Sequence, residues 1–220
     1  MVCGTSAGSL CARGPGQGAR TGSSGVNYLA HLYVSPPDED AWLGSLLGDF
    51  VKGPLGDRYR GAVGTAIALH RRLDSFTDAH AAVQRSKSRV SRARRRYAGI
   101  MIDMFYDHFL ARSWAEFHHE PLEAFSARVY RLLERRHAEL PARLQAIAPR
   151  MAARDWLGAY AQAERVGRAL DGIGTRLRRA NRLHGAGEEL LAEYAGFEAD
   201  FRAFLPEVKA YAALGYKSFW

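Results

Sequence analysis

The sequence predicts an all-α fold, a single-domain helical bundle. Three observations carry this reading. Apolar residues recur at helical spacing, as in Trp42, Leu46 and Phe50, or Ile100, Met104, Ala111 and Trp114. Strand-like alternation is nearly absent, apart from a brief stretch at Tyr28–Val34. Pro and Gly punctuate the chain at intervals suited to helix ends.

The elements follow in order. The first helix is expected over Asp38–Lys52, with Pro36 and Pro37 before it and Gly53-Pro54 ending it. A second covers Arg58–Ala82, and a third takes the basic stretch to Tyr97. Gly99 precedes a fourth, Ile100–Phe117. Pro121 opens another, rich in Leu and Arg, to about Glu139, and Pro141 and Pro149 mark a short helical piece. Asp155 reads as an N-cap for Trp156–Arg179, which Gly172 and Gly174 interrupt and can kink. A final helix spans Gly187–Leu205, before Pro206. No internal repeat, Walker loop or GxGxxG motif occurs.

Two hundred and twenty residues suffice for one well-buried core. Residues 1–25 differ from the rest: rich in Gly and Ser, free of acids and without period. They are expected to be a disordered or non-native extension, with the domain at 26–220. Val26 stands where a GTG start codon would be decoded as Met, so the true start is expected there. Cys3 and Cys11 are the only cysteines, so neither disulfides nor thiolate metal sites hold the fold. That fits a cytoplasmic protein. No apolar run is long enough to span a bilayer, and no membrane association is expected. The net charge is +8. It concentrates between Ala79 and Ile102, which holds Arg85, Lys87, Arg89, Arg92, Arg94, Arg95 and Arg96 and no acid. Such a block implies an anionic partner, against the simpler reading of a solvated helix face.

Three helical stretches carry Asp and His where core-facing apolar residues belong. Asp49 shares a face with Trp42, Leu46 and Phe50. His70, Asp74 and Asp78 recur every four residues beside Leu69, Leu73 and Phe76. Asp103, Asp107 and His108 share the stripe of Ile100, Met104, Ala111 and Trp114. Carboxylates in an apolar stripe are costly to bury unless a cation meets them. Oxygen and nitrogen donors converging from several helices therefore point to a bound metal, with Asp49, His70, Asp74, Asp103 and Asp107 as candidate ligands. His31 lies in N-Y-L-A-H-L-Y, where a lone His is more often structural.

Several motifs together resemble one family: N-Y-L-A-H-L-Y, L-L-G-D-F-V-K-G, L-H-R-R-L-D-S-F-T-D, I-x-x-D-M-F-Y-D-H-F-L, D-W-L-x-x-Y and Y-x-G-F-E-A-D-F-R-A-F-L-P. In order and from about residue 26 to about 213, they are similar to the bacterial acyl-carrier-protein phosphodiesterases. The resemblance implies a fold related to the HD-type metal-dependent phosphohydrolases. It also implies a manganese-favouring hydrolase that removes 4′-phosphopantetheine from holo acyl carrier protein, within fatty acid metabolism. Hard carboxylates with imidazole suit Mn²⁺, and also Fe²⁺ or Mg²⁺. A departing serine oxygen needs a proton, for which His108 or His31 is the candidate. Arg71 or Arg72 is suited to hold the phosphate. Arg72 and the Arg85–Arg96 block are the expected docking surface for the acidic carrier protein. One alternative keeps the metal but takes a nucleotide or another small phosphoester. Another class, a nucleic-acid-binding protein, draws on the basic charge, but no aromatics interleave with the arginines, so no stable nucleic-acid complex is expected.

Overall fold

The computed structural model describes residues 27–177 and 179–217. The expected amino-terminal extension, residues 1–25, lies outside the described residues. Those described form one all-α domain without strands. The helices are α1 (Tyr28–Val34), α2 (Glu39–Leu47), α3 (Gly61–Ala79), α4 (Ala81–Arg89), α5 (Ala98–Arg112), α6 (Trp114–Phe117) and α7 (Leu122–Arg135). They continue with α8 (Ala142–Ala153), α9 (Trp156–Ala159), α10 (Ala163–Arg176), α11 (Gly187–Ala192) and α12 (Tyr194–Lys217). None is long and apolar enough to cross a membrane.

Local chemistry sets several ends. Asp38 caps α2 by accepting a hydrogen bond from Ala41 N at 3.0 Å, and Glu39 and Asp40 in the first turn complement the helix dipole. His80 sets the boundary between the two expected helices, two residues before Ala82: its Nδ1 accepts from Ala82 N, so α3 ends and α4 begins there. The basic stretch is α-helical only to Arg89, with a 3-10 turn at Arg95–Tyr97. Asp155 caps α9, as expected, from a left-handed backbone with φ 41°. The break falls after that single turn, at 160–162, while α10 runs through Gly172 and Gly174.

Two elements differ from expectation through tertiary packing. Tyr28–Val34 is a helix, not a strand. Seven residues are too few for periodicity to decide, and Asp107 supplies the acceptors that α1 lacks at its start, as described below. Helix α12 continues through Pro206 for eleven more residues, to Lys217. Val208, Ala212 and Tyr216 bury on that extension, and the Tyr216 hydroxyl lies 3.0 Å from Ser35 Oγ. That burial outweighs the helix-breaking cost of one Pro.

Helix α5 runs through the centre of the domain and is buried along most of its length, including Met101, Phe105 and Phe109. Helix α12 crosses α3, α4 and α5. Helices α2 and α3 pack in close contact because Gly44 has no side chain: a Cβ there would lie 2.5 Å from Ala66 Cβ and from Val63 O. The basic block also serves the fold. Buried Asp200 of α12 accepts from Arg85 Nε (2.9 Å), Arg89 Nε (3.1 Å) and Ser86 Oγ (3.1 Å). Lys87 pairs with Asp78, and Arg94 pairs with Glu189 while donating to the Arg182 and His184 carbonyls. Arg95 donates to the Val90 and Ser88 carbonyls. Arg92 and Arg96 are exposed, with no ion-pair partner among the described residues.

Candidate metal centre

Helices α1 and α3 bring His31, His70 and Asp74 together. One donor atom from each lies within 4.8 Å of the others. The two imidazoles stack with centroids 3.9 Å apart and planes at 22°. Asp74 faces both: its Oδ1 is 3.2 Å from His31 Nε2 and its Oδ2 is 3.5 Å from His70 Nε2. The 70/74 spacing on α3 makes this possible, because residues four apart share a helix face. The loop after α2 adds Asp49, whose Oδ1 is 3.7 Å from His70 Nε2. His31, His70 and Asp49 are buried, while the Asp74 side chain is 33% exposed and opens the centre to solvent.

Gly48 makes room for this arrangement. A Cβ at Gly48 would fall 2.2 Å from two ring carbons of His70 and 2.7 Å from its Cβ. These atoms sit near the α3 backbone, so they have little freedom to move. Gly48→Ala is expected to cost about 1–3 kcal/mol by overpacking and to displace the His70 ring. Thermal melting and turnover check this; wild-type values for both would mean that the methyl group is accommodated. Sequence reading passed over Gly48. Its signal is the small-residue pair Gly44 and Gly48, four apart on the face of α2 that meets α3.

Electrostatics favour a cation here. Burial alone would raise the Asp74 carboxyl, but hydrogen bonds and charge from His31 and His70 hold it well below the usual carboxylate range. Asp103 of α5 lines a narrow apolar cleft beside His31, together with Leu73, Tyr106 and Phe204. It is partly exposed along that cleft, yet burial of its carboxyl, with the charges of Asp74, Asp78 and Asp49, pushes its pKa well above the ordinary value against Lys87. The Nδ1 atoms of His31 and His70 are buried without hydrogen-bond partners among the described residues. Two imidazoles, one carboxylate bridging them and a second carboxylate alongside are a donor set for a divalent ion. The residues present fit a metal.

The other candidates have separate surroundings. Both oxygens of buried Asp107 accept backbone amides of α1, Leu29 N at 3.0 Å and Ala30 N at 2.9 Å. Asp107 thus holds the helix that carries His31. His108, its neighbour, has Nδ1 2.7 Å from the Tyr160 carbonyl and Nε2 3.0 Å from the Tyr194 hydroxyl. Burial lowers its pKa, against the Tyr160 hydrogen bond, so the ring stays neutral with Nδ1–H donating. Arg71 donates from Nη2 to Val51 O at 2.9 Å, bracing the loop that carries Asp49, and Arg72 is exposed on α3.

The family model described as acyl carrier protein phosphodiesterase matches residues 26–208. The acyl carrier protein phosphodiesterase of Serratia proteamaculans is 33% identical over 186 residues, 83% of this chain and 95% of the relative. That of Photorhabdus laumondii is 31% identical over 182 residues, 82% and 92% of the two chains. That of Pectobacterium atrosepticum is 30% identical over 184 residues, 83% and 95%. No solved structure matches the chain. With most of its length aligned to these relatives, the chain belongs to the acyl carrier protein phosphodiesterase family.

Proposed function

We propose that this protein is a metal-dependent phosphodiesterase that hydrolyses the link between 4′-phosphopantetheine and the serine of holo acyl carrier protein. The single observation that carries the metal is the convergence of His31, His70 and Asp74, with Asp49 beside them. The names of its relatives support the substrate. His31, His70 and Asp74 would hold a divalent ion, Mn²⁺ in this reading and Fe²⁺ or Mg²⁺ by the same donor chemistry, with Asp49, Asp103 and Asp107 as further candidate ligands. When bound, such an ion polarises a phosphoryl oxygen and lowers the pKa of a coordinated water.

The chain's own residues supply the remainder. Asp74 keeps its charge and orients both imidazoles from one carboxylate. The exposed edge of Asp74 is where a phosphodiester can reach the centre, beside the largely apolar cleft. The departing serine oxygen requires a proton. Both nitrogens of His108 are engaged by Tyr160 and Tyr194, and His31 is taken up as a ligand in this reading, which favours Asp103 at the cleft as the source where it does not itself ligate. Arg71, held against Val51 O, is positioned to keep the Asp49 loop in place and retains further donors for a phosphate. An HD-like helical architecture is compatible with the all-α domain.

Mass spectrometry of holo acyl carrier protein incubated with the purified protein and Mn²⁺ tests this. The expected result is loss of the phosphopantetheine mass, stopped by a chelator. An intact carrier, with turnover of a small phosphodiester, would move the substrate to another phosphoester. Undiminished turnover after complete metal removal would refute the metal.

A further inference from the structure

A second basic surface without carboxylate partners among the described residues lies away from residues 85–96. Helix α8 carries Arg143 and Arg150, and Arg154 follows at its carboxyl end. Offsets of seven and eleven residues put all three on one helix face. All are exposed, and α8 contains no acid. Helix α10 presents Arg165, Arg168 and Arg176, also exposed. Arg176 donates to the Gly172 carbonyl at 3.0 Å. Among the described residues, none of the six is paired with a carboxylate, whereas Arg85, Arg89 and Arg94 are.

This face borders the metal centre. The Arg143 guanidinium lies 5.7 Å from the centroid of Phe50, the residue after Asp49. Phe50 stacks on Tyr28 at 6.3 Å and 8°, and Tyr28 lies one turn before His31 in α1. The charges of Arg143 and Arg176 both bear on the Tyr28 phenol. Helices α8 and α10 are joined through α9.

We propose that the arginine face of α8 is the surface on which an acidic carrier protein docks, presenting its phosphodiester to the adjacent centre. This rests on the phosphodiesterase reading above. The α8 stripe alone spans roughly 16 Å at 1.5 Å per residue, too long for one phosphate and suited to an acidic helix of a protein partner. Exposed charges of this kind raise the association rate and select an anionic partner. Single-stranded nucleic acid is disfavoured, because no aromatic side chain interleaves with the arginines along α8.

The test is an anisotropy titration with dye-labelled apo carrier protein, which retains the docking surface and cannot be hydrolysed. The variants are Arg150→Glu with Arg154→Glu, the same pair with Arg143→Glu, and Arg92→Glu with Arg96→Glu as a comparison surface. The α8 reversals are expected to weaken binding at low salt by roughly tenfold or more and to raise KM for the holo carrier, with kcat, melting temperature and turnover of bis(p-nitrophenyl) phosphate unchanged. Unaltered affinity in the α8 variants, with wild type binding well, would overturn the surface and leave the phosphodiesterase reading standing. So would weakening confined to the Arg92/Arg96 variant. Loss of affinity for duplex DNA or anionic vesicles but not for the carrier would overturn the partner. A wild-type protein that neither binds nor hydrolyses the carrier would remove the phosphodiesterase reading and the docking surface together.

Discussion

Asp74→Asn is expected to lower turnover by more than about 100-fold, since loss of an outer-shell partner alone typically costs 10–100-fold in affinity or activity. The substitution preserves size and removes the charge. Among the described residues, Asp74 is the carboxylate that faces both imidazoles, at 3.2 Å from His31 and 3.5 Å from His70. Its hydrogen bonds and charge interactions with those rings overcome the burial that would otherwise protonate it. Without it, two stacked imidazoles 3.9 Å apart lose their shared anion, and any cation loses a ligand. Mn²⁺ titration and single-turnover assays on holo acyl carrier protein should show weakened metal binding and lost cleavage. Wild-type metal affinity and rate in this variant would sink the proposed centre.

Asp107→Asn tests the support beneath His31. The carboxylate accepts two buried amides at the start of α1. The amide side chain can accept only one of them and turns a donor toward the other, leaving a buried N–H unsatisfied at a cost of about 1–3 kcal/mol. For a domain of this size, each kcal/mol lowers Tm by about 2–4 °C. Turnover should fall too, because His31 rides on the helix that Asp107 holds and the carboxylate is itself a proposed ligand. The pH dependence has a definite sign. Burial pushes Asp107 up to about 8, against the Ala30 and Leu29 amides and with help from Asp49. The unfolded value is about 3.9, so between the two the metal-free folded state binds more protons than the unfolded chain. This group's stabilisation is therefore complete below about pH 4 and lost as pH rises through about 8. Asn does not titrate. With a chelator present, the Tm gap between wild type and variant should narrow from about pH 5 to about pH 8. A constant gap would show that Asp107 does not titrate in this window.

Taken by itself, the sequence determined the fold class, because helical periodicity is local and repeats over most of the chain. It also placed His70 and Asp74 on an inward helix face and identified the Asp155 cap from residue type, while Asp49, expected on the same helix as Trp42, lies in the turn after α2. The tertiary structure decided what those residues meet. His31 joins the cluster only because α1 is a helix, and α1 is held by an acceptor 77 and 78 positions away in the chain. His108 is drawn to the Tyr160 carbonyl and the Tyr194 hydroxyl, partners 52 and 86 positions distant that no local spacing records. Arg85 and Arg89 read as a free cationic run until α12 brings Asp200 against them from more than a hundred residues away. Periodicity states which face of a helix turns inward. The identity of the group waiting there depends on proximity in space between residues remote in sequence, and only the folded chain supplies it.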